Sequence, residues 1–546
     1  MKSRYKKIKR YTGAFLVALS VIGAFNSCEQ FDLNENPGES QFIVAPYSTI
    51  NEMELAVTGM YGKFRDAAQM STFYVSGWGG DDITTHPLSN KADFREFDQR
   101  SLTPYNTRTL DTWRNVYGLI RSANTVLENT AASTLPTTSQ ARKDVLLGET
   151  YFLRAIMFHH LVRIHGKIVI KLDTKLSENP VLSPTVDVYK QIEKDLLLAE
   201  SLLPTKTTVG SARPNKGSVR AILARLYLDW AGFPVKDATK NTNAASSAKA
   251  VIDNQASFGF GMVTDLNSLW SEAGRNNTES VFTVEFCQPC GLQNAKYGML
   301  GIPGDIFGWG ETFAEVRFYE DFDKGANYTN FNSYRKNATY YETLPLDANG
   351  KPTAAAVGAP VKTWSWRESK DVQTPVFKKV VGLLAENAGV NFYTSRNDYW
   401  MRMSEVYLIY AEASGAAGGV VPPDAWEALN KVRRRANNLP INTAAPLIDV
   451  VSGNLVDIAF IERKWEFAGE YVRWNDLVRR EKVAEALGGT ARDPQVTIGT
   501  KYNADGSKTP QALTKPVNAI LGSLTNTNYF APIPQSEVDL YPSLKQ

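Results

Sequence analysis

The stretch FIERKWEFAGEYVRWNDLVRR, residues 460–480, sets the tightest limit on what this chain can become. Phe460, Ile461, Trp465, Phe467, Tyr471, Trp474 and Leu477 recur every three to four residues, the stripe of a helix packed into a core. Threaded between them are Glu462, Arg463, Glu466, Glu470, Arg473 and Asp476. Charges so close to bulky apolar side chains should be paired. Glu462 and Glu466 stand one turn apart with Arg463 between them, which admits two readings: an ion-paired helical junction, or two carboxylates acting as acid and base. The arginines favour the junction, because a carboxylate beside a guanidinium stays ionised and donates protons poorly.

Helical stripes also run through the first half. Trp113, Val116, Tyr117, Ile120, Ala123 and Leu127 form one. Ser183-Pro184 opens a second, with Val188, Ile192, Leu196, Ala199 and Leu203, and Pro204 ends it. Ser218 is read as the cap of a third, holding Ala221, Ala224 and Leu228. From about residue 258 to 397 the texture changes to glycine, asparagine, proline and aromatics, with short alternating runs such as 280–286; helical periodicity returns at Met401. The divisions expected are 1–27, a secretion signal; 28–257, helical; 258–400, an irregular, partly β insertion; and 401–546, helical again. A long irregular insertion on a helical scaffold is where binding is usually displayed.

The 460–480 stretch resembles the C-terminal signature of the SusD/RagB family of Bacteroidetes outer-membrane lipoproteins, ER-x-x-E-F-x-x-E-x-x-R-W-x-D-L-x-R, at Glu462, Arg463, Glu466, Phe467, Glu470, Arg473, Trp474, Asp476, Leu477 and Arg479. MRMSEVYLIYAEA (401–413), ALNKVRRRA (428–436), GETYFLRAIMFHHLVRIHGKIVI (148–170), NKGSVRAILARLYLDWAGF (215–233) and YFAPIPQSEVDLYPSLKQ (529–546) are similar to further family segments, in the family's order. The resemblance implies a mainly α, tetratricopeptide-like solenoid with a long insertion. It also implies a lipid-anchored, cell-surface protein that captures oligosaccharides or polysaccharides and passes them to a SusC-like TonB-dependent transporter. Some relatives handle peptides, so a peptide-capturing lid, or a structural lid with little ligand affinity, are the alternatives.

The N-terminus agrees. MKSRYKKIKR carries six basic residues and no acid; residues 11–25 are apolar but too short to span a bilayer, and Ser27-Cys28 follows. Cys28 is the expected lipidation site, although Phe25-Asn26-Ser27 departs from the usual residues before such a cysteine. Without residues 1–27 the chain keeps 54 of its 60 basic residues against 57 acids, a formal charge of −3. A near-neutral chain with no basic block argues against nucleic acid as a partner.

Cys287 and Cys290, in FCQPCGLQ, are the other two thiols. The spacing fits a redox pair, half a zinc site or a local disulfide, and secretion favours a local disulfide or two buried thiols. His86, His159, His160 and His165 are not spaced as metal ligands, and no metal or other cofactor is expected. There is no G-x-S-x-G elbow, H-E-x-x-H, Walker loop or dinucleotide fingerprint, so no catalytic residues are assigned and an enzyme is not expected.

A sugar ring offers an apolar C–H face and a rim of hydroxyls, so its site needs exposed aromatic planes beside carboxylates, amides or arginines. Trp78, in FYVSGWGGDDITTHP, lies between glycines expected to leave its plane open, with Asp81 and Asp82 as acceptors; without D-x-D-x-D-G spacing, calcium binding there is a weak signal. Trp309, in GDIFGWGETF, also stands between glycines, and TWSWRE places Trp364 and Trp366 on one strand face beside Arg367. Trp78, Asp81, Trp309 and Trp364 are the predicted ligand-binding residues. Trp113, Trp230, Trp465 and Trp474 lie on helical stripes and are expected in the core.

Overall fold

The computed structural model describes residues 45–68, 76–88, 91–207, 212–294, 300–322, 333–354, 362–387, 393–489, 491–492, 500–502, 508–510 and 518–546. Cys28 and the signal segment lie outside the described residues. Within the unit Pro46–Gln546 the frame is helical. Before the strand-bearing region come α1 (Ile50–Ala68), α2 (Ala92–Asp98), α3 (Thr107–Ala132), α4 (Gln140–His165), α5 (Thr185–Leu202), α6 (Lys216–Ala231) and α7 (Lys240–Asp253), with a four-residue helix at Gln255–Phe258 after them. After it come α8 (Met403–Ala416), α9 (Pro423–Ala436), α10 (Leu455–Glu466) and α11 (Arg473–Arg479), with shorter helices at Val483–Leu487 and Gln535–Leu540. From α3 to α7 each helix packs on its neighbour in sequence, and α8 packs on α7, α9 and α10, so one apolar core runs through both groups.

Local chemistry accounts for the helix starts. The Asn106 side chain accepts from the N–H groups of Arg108 and Thr109, capping α3, whose Trp113, Val116, Ile120 and Ala123 are buried. At α6 the cap is Asn215 rather than Ser218: the Asn215 side chain accepts from the Ser218 N–H, and Ser218 Oγ accepts from the Asn215 N–H, a capping box shifted three residues from the expected start.

The stripe over 460–480 belongs to two helices. α10 ends at Glu466, the chain turns through Gly469 (φ +77°) and Tyr471 (φ +61°), and α11 begins at Arg473. A β-carbon on Gly469 would lie 2.6 Å from the Phe377 ring, so glycine is required for closeness as well as for φ. The stripe persists because the turn keeps Phe467, Ala468 and Tyr471 buried.

The charges of that stretch form a buried lattice, which decides between the two readings of Glu462 and Glu466. Glu466 pairs with Arg402 and Arg435, both at 2.6 Å, and with Arg335 at 3.2 Å. Glu462 pairs with Arg335 at 2.6 Å and Arg433 at 3.2 Å, and Glu279 joins Arg402 and Arg435. Burial pushes the Glu466 carboxyl up, but Arg435, Arg402 and Arg335 outweigh it and hold the group far below the usual carboxylate range. Glu466 is therefore an ionised tie, not a proton donor. Arg335 comes from the insertion and Arg402 from its end, so the lattice fastens the insertion to the frame.

The strands are short and paired in twos: β1 (Ile83–Thr84) with β3 (Phe313–Ala314), β2 (Ser280–Val284) with β8 (Asp398–Arg402), β4 (Tyr340–Tyr341) with β7 (Val376–Phe377), β5 (Thr343–Leu346) with β6 (Lys362–Ser365), and β9 (Thr500–Tyr502) with β10 (Lys508–Pro510), all antiparallel. β2 is buried at every position, and Val281, Phe282 and Val284 belong to the helical core. Cys287 and Cys290 are joined in a disulfide that closes a tight turn at the surface, Cα atoms 5.2 Å apart. Among the described residues no helix is long and apolar enough to cross a membrane.

Candidate ligand-binding site

Pairing of Ile83 with Ala314 and of Thr84 with Phe313 sets the early loop, residues 76–88, against the insertion's loop 303–312. That loop is drawn tight by backbone contacts. The Gly308 N–H donates to the Pro303 carbonyl at 2.9 Å, and both Glu311 and Thr312 N–H groups reach Leu300 O. A β-carbon on Gly308 would lie 1.9 Å from Ile302 O, so only glycine permits the turn.

Turned this tightly, the loop holds Phe307 and Trp309 outward, 56% and 41% exposed. Phe307 has φ +73°, a left-handed conformation that costs a side-chain-bearing residue about 1–2 kcal/mol. A bulky aromatic kept there with its ring in water is not filling a core, and such strain gathers at functional loops. Lys91 Nζ lies 5.9 Å from the centre of the Trp309 ring and 3.4 Å from Glu311 Oε1; Lys351 Nζ lies 5.6 Å from the centre of the Phe307 ring. The loop therefore offers two exposed aromatic rings, each with an ammonium group within 6 Å of its centre, and the carboxylates of Asp305 and Asp371 at its base.

Trp309 has the exposed plane expected of it; Trp78 and Trp364 do not. Trp78 is completely buried, stacked on Phe94 at 4.7 Å and packed against Tyr471 at 5.1 Å. Its flanking glycines admit neighbours instead of leaving the ring open: a β-carbon would lie 2.6 Å from Tyr471 Cβ at Gly77, and 2.9 Å from Arg100 and 3.1 Å from Trp474 at Gly79. Trp364 is 6% exposed, opposite Leu344 in the β5–β6 pair, and Trp366 is buried with its N–H on Glu342. Burial gives the first two another role. Trp78 Nε1–H donates to the Glu311 carbonyl at 3.0 Å, and Trp364 Nε1–H donates to Asp305 Oδ2 at 3.2 Å. Both indoles thus hold the loop that presents Trp309.

Asp81 is likewise a tie. It pairs with Arg473 at 2.7 Å and stands 3.9 Å from Lys464; burial raises its pKa, but Arg473 and Lys464 outweigh that and hold it below the usual range. Asp82 accepts from the Gly469 N–H at 2.9 Å, and burial, then the neighbouring Asp81 charge, push its carboxyl up to about 7. Both are engaged away from Phe307 and Trp309. Among the described residues no group of three or more His, Cys, Asp or Glu side chains is placed to hold a metal ion.

Phe307, Asp305 and Asp371 escaped the sequence reading, and His86 was weighed there only as a metal ligand. Phe307 was legible, since it stands two residues before Trp309 and beside the same glycine. Asp371 carries no local signal, because its partners Gly304 and His86 are 67 and 285 residues away.

The sequence profile of the SusD family matches residues 316–546, and a second profile, starch-binding associating with outer membrane, matches residues 33–228. The chain is 27% identical to SusD-like protein P2 of Formosa agariphila, over 89% of this chain and 94% of the relative. The fold matches that of a SusD homolog from Bacteroides thetaiotaomicron with TM-score 0.71, over 90% of this chain and 96% of that one at 21% identity. It also matches a laminarin binding SusD-like protein with TM-score 0.67, over 91% and 98% at 22% identity. With its helical frame and the intact 460–480 signature, the chain belongs to the SusD/RagB family.

Proposed function

We propose that this protein captures oligosaccharides or polysaccharides at the cell surface on the Phe307–Trp309 face, and delivers them to a partner TonB-dependent outer-membrane transporter. Acyl chains on Cys28 would anchor it outside the outer membrane. The observation that carries the reading is a pair of exposed aromatic rings on a loop held rigid from two sides, one ring kept out at the cost of backbone strain. Rings of this kind stack on the C–H face of a sugar while Asp305, Asp371 and the lysine ammonium groups meet its hydroxyls. A relative that binds laminarin lends support. No chemistry is assigned to the site: Asp305 and Asp371 hold the loop through hydrogen bonds, and the ligand leaves as it arrived.

The test is affinity electrophoresis and calorimetry of the protein, begun after Cys28, against laminarin and a panel of plant, host and microbial polysaccharides with peptide digests as the contrast. Binding to one glycan class is expected, weakened about tenfold by Trp309→Ala or Phe307→Ala, the loss of roughly one stacking contact. Binding to peptides alone would sink the glycan reading in favour of a peptide-capturing lid, and binding to nothing would favour a structural one.

A further inference from the structure

Helix α11 starts at the early loop, where Arg473 holds Asp81, and ends in a cavity of about 300 Å³ lined from the helical frame. That volume lies at the lower end of the range for small-molecule pockets. Part of the lining is apolar, with Leu228 of α6, Ala416 of α8, Val456 of α10 and the Phe233 ring. The rest is a set of fixed ion pairs. Buried Glu412 accepts two bonds from Arg479, at 2.5 and 2.8 Å, and one from Arg480 at 3.4 Å; Arg480 also reaches Asp457 at 2.7 Å. Lys236 and Glu481 pair at 2.6 Å on the solvent side. The turns that carry them are locked together: the Phe233 N–H donates to Arg479 O at 2.9 Å, and a β-carbon on Gly232 would lie 2.6 Å from the same oxygen. Lys236 (φ +59°) and Glu481 (φ +51°) both hold the left-handed conformation that favours glycine. An exposed ion pair contributes too little to stability to account for two strained residues, and such strain gathers at binding sites.

We infer that this cavity is a second binding site, separate from the Trp309 loop, for one neutral polyhydroxylated ring of monosaccharide size. The charge pattern selects the class. Lys236, Glu412, Arg479, Arg480 and Glu481 each have a counter-charge within the protein, so an ionic ligand has to displace a partner that is already in place. A hydroxyl does not, because it can join a pair without breaking it. Arg480 spends one donor on Glu412 and one on Asp457 and keeps others, and a carboxylate oxygen has two lone pairs, so the wall can both donate to and accept from a ligand hydroxyl. The aliphatic side chains and the Phe233 ring suit the C–H face of the same ring. A flexible wall would be remade around many ligands, whereas the contact between the Gly232 and Arg479 turns fixes the size of this one.

The test is NMR of the protein, begun after Cys28 and labelled at its valine and leucine methyl groups, with the Val456 signals assigned by Val456→Ile. Glucose, galactose, mannose and xylose are titrated into the millimolar range, with glucuronate, galacturonate and glucosamine as charged counterparts. At least one neutral sugar is expected to shift the Val456 signals along a saturating curve and to show direct Overhauser contacts to them, and its charged counterpart to bind at least fivefold more weakly. Ala416→Trp places an indole in the cavity from the exposed end of α8 and leaves every ion pair in place, so it should abolish the shift; Trp309→Ala should leave it unchanged. Val456 signals that ignore every neutral sugar overturn the inference in the parent protein, whether or not Ala416→Trp folds. So do equal affinities for the charged counterparts, binding that persists in a folded Ala416→Trp, or binding lost in Trp309→Ala. Polysaccharide binding at the aromatic loop is read separately, so either site can fail without the other.

Discussion

The helical frame and the insertion reach order with different balances of apolar packing and polar ties. In the frame, order is chiefly apolar and helical: Trp113, Val116, Ile120 and Ala123 bury one stripe of α3, α4, α6 and α8 are buried nearly all round, and ion pairs such as Arg154–Asp195 and Arg225–Glu405 lie within that core. In the insertion, strands of two to five residues cannot hold a fold alone, and polar ties complete it, with indole N–H on carbonyl and carboxylate, serine on aspartate, and arginine on glutamate. An apolar core tolerates small shifts in many places, whereas a polar tie specifies one geometry and fails when a single partner is lost. The proposed binding face would need the second property, and two of those ties, from Trp78 and Trp364, end on the loop that carries Phe307 and Trp309.

The contrast is broken most severely where the two regions are riveted together. Glu466→Ala leaves Arg402, Arg435 and Arg335 facing one another without their shared counter-charge, and should cost about 3–5 kcal/mol, read as a lowered urea midpoint or loss of soluble protein. A midpoint within experimental error of the parent would mean that the lattice is not what binds insertion to frame.

A milder break is pH. Burial and Asp81 raise Asp82 in the folded chain to about 7, against about 4 for an unfolded aspartate, so the folded state holds its proton more tightly. Its contribution to stability is therefore fully present below pH 4 and lost as pH rises through 7, by an amount on the order of a few kcal/mol. Asp82→Asn should flatten this slope, gaining urea resistance relative to the parent at pH 8 and little or nothing at pH 4. Identical pH slopes in the two proteins would show that Asp82 keeps an ordinary pKa.

The smallest expected effect sharpens the comparison. Phe307→Gly removes left-handed strain from the loop and should raise stability by about 1 kcal/mol while glycan affinity falls. If both fall together, the ring supports the loop instead of being displayed by it.

What was legible in advance follows the same division. Helical periodicity announced α3, α5 and the C-terminal group, because a stripe is written in neighbouring residues. Its limits show at the cap, three residues early at Asn215, and at 467–472, where buried turn residues imitate a helical spacing. Trp78 and Trp364 were singled out from sequence, yet their exposure was misjudged. Glycines beside an aromatic signal close approach, and the sequence does not say whether the thing approaching is a ligand or the protein's own Tyr471. Asp371 could not be read at all, since its meaning comes from residues 67 and 285 positions away.

The pairing of β2 with β8 has a consequence for how such a protein can change over generations. Val284 stands opposite Asp398, so the chain leaves the frame and returns to it at neighbouring positions, about 5 Å apart as paired strands are. Everything between is an excursion whose exit and entrance are the same doorway. A change in its length or content would have to keep that doorway, the strand that pairs with Ile83 and Thr84, and an arginine to meet Glu462 and Glu466. Lineages meeting new polymers could thus rewrite the hand without rebuilding the arm.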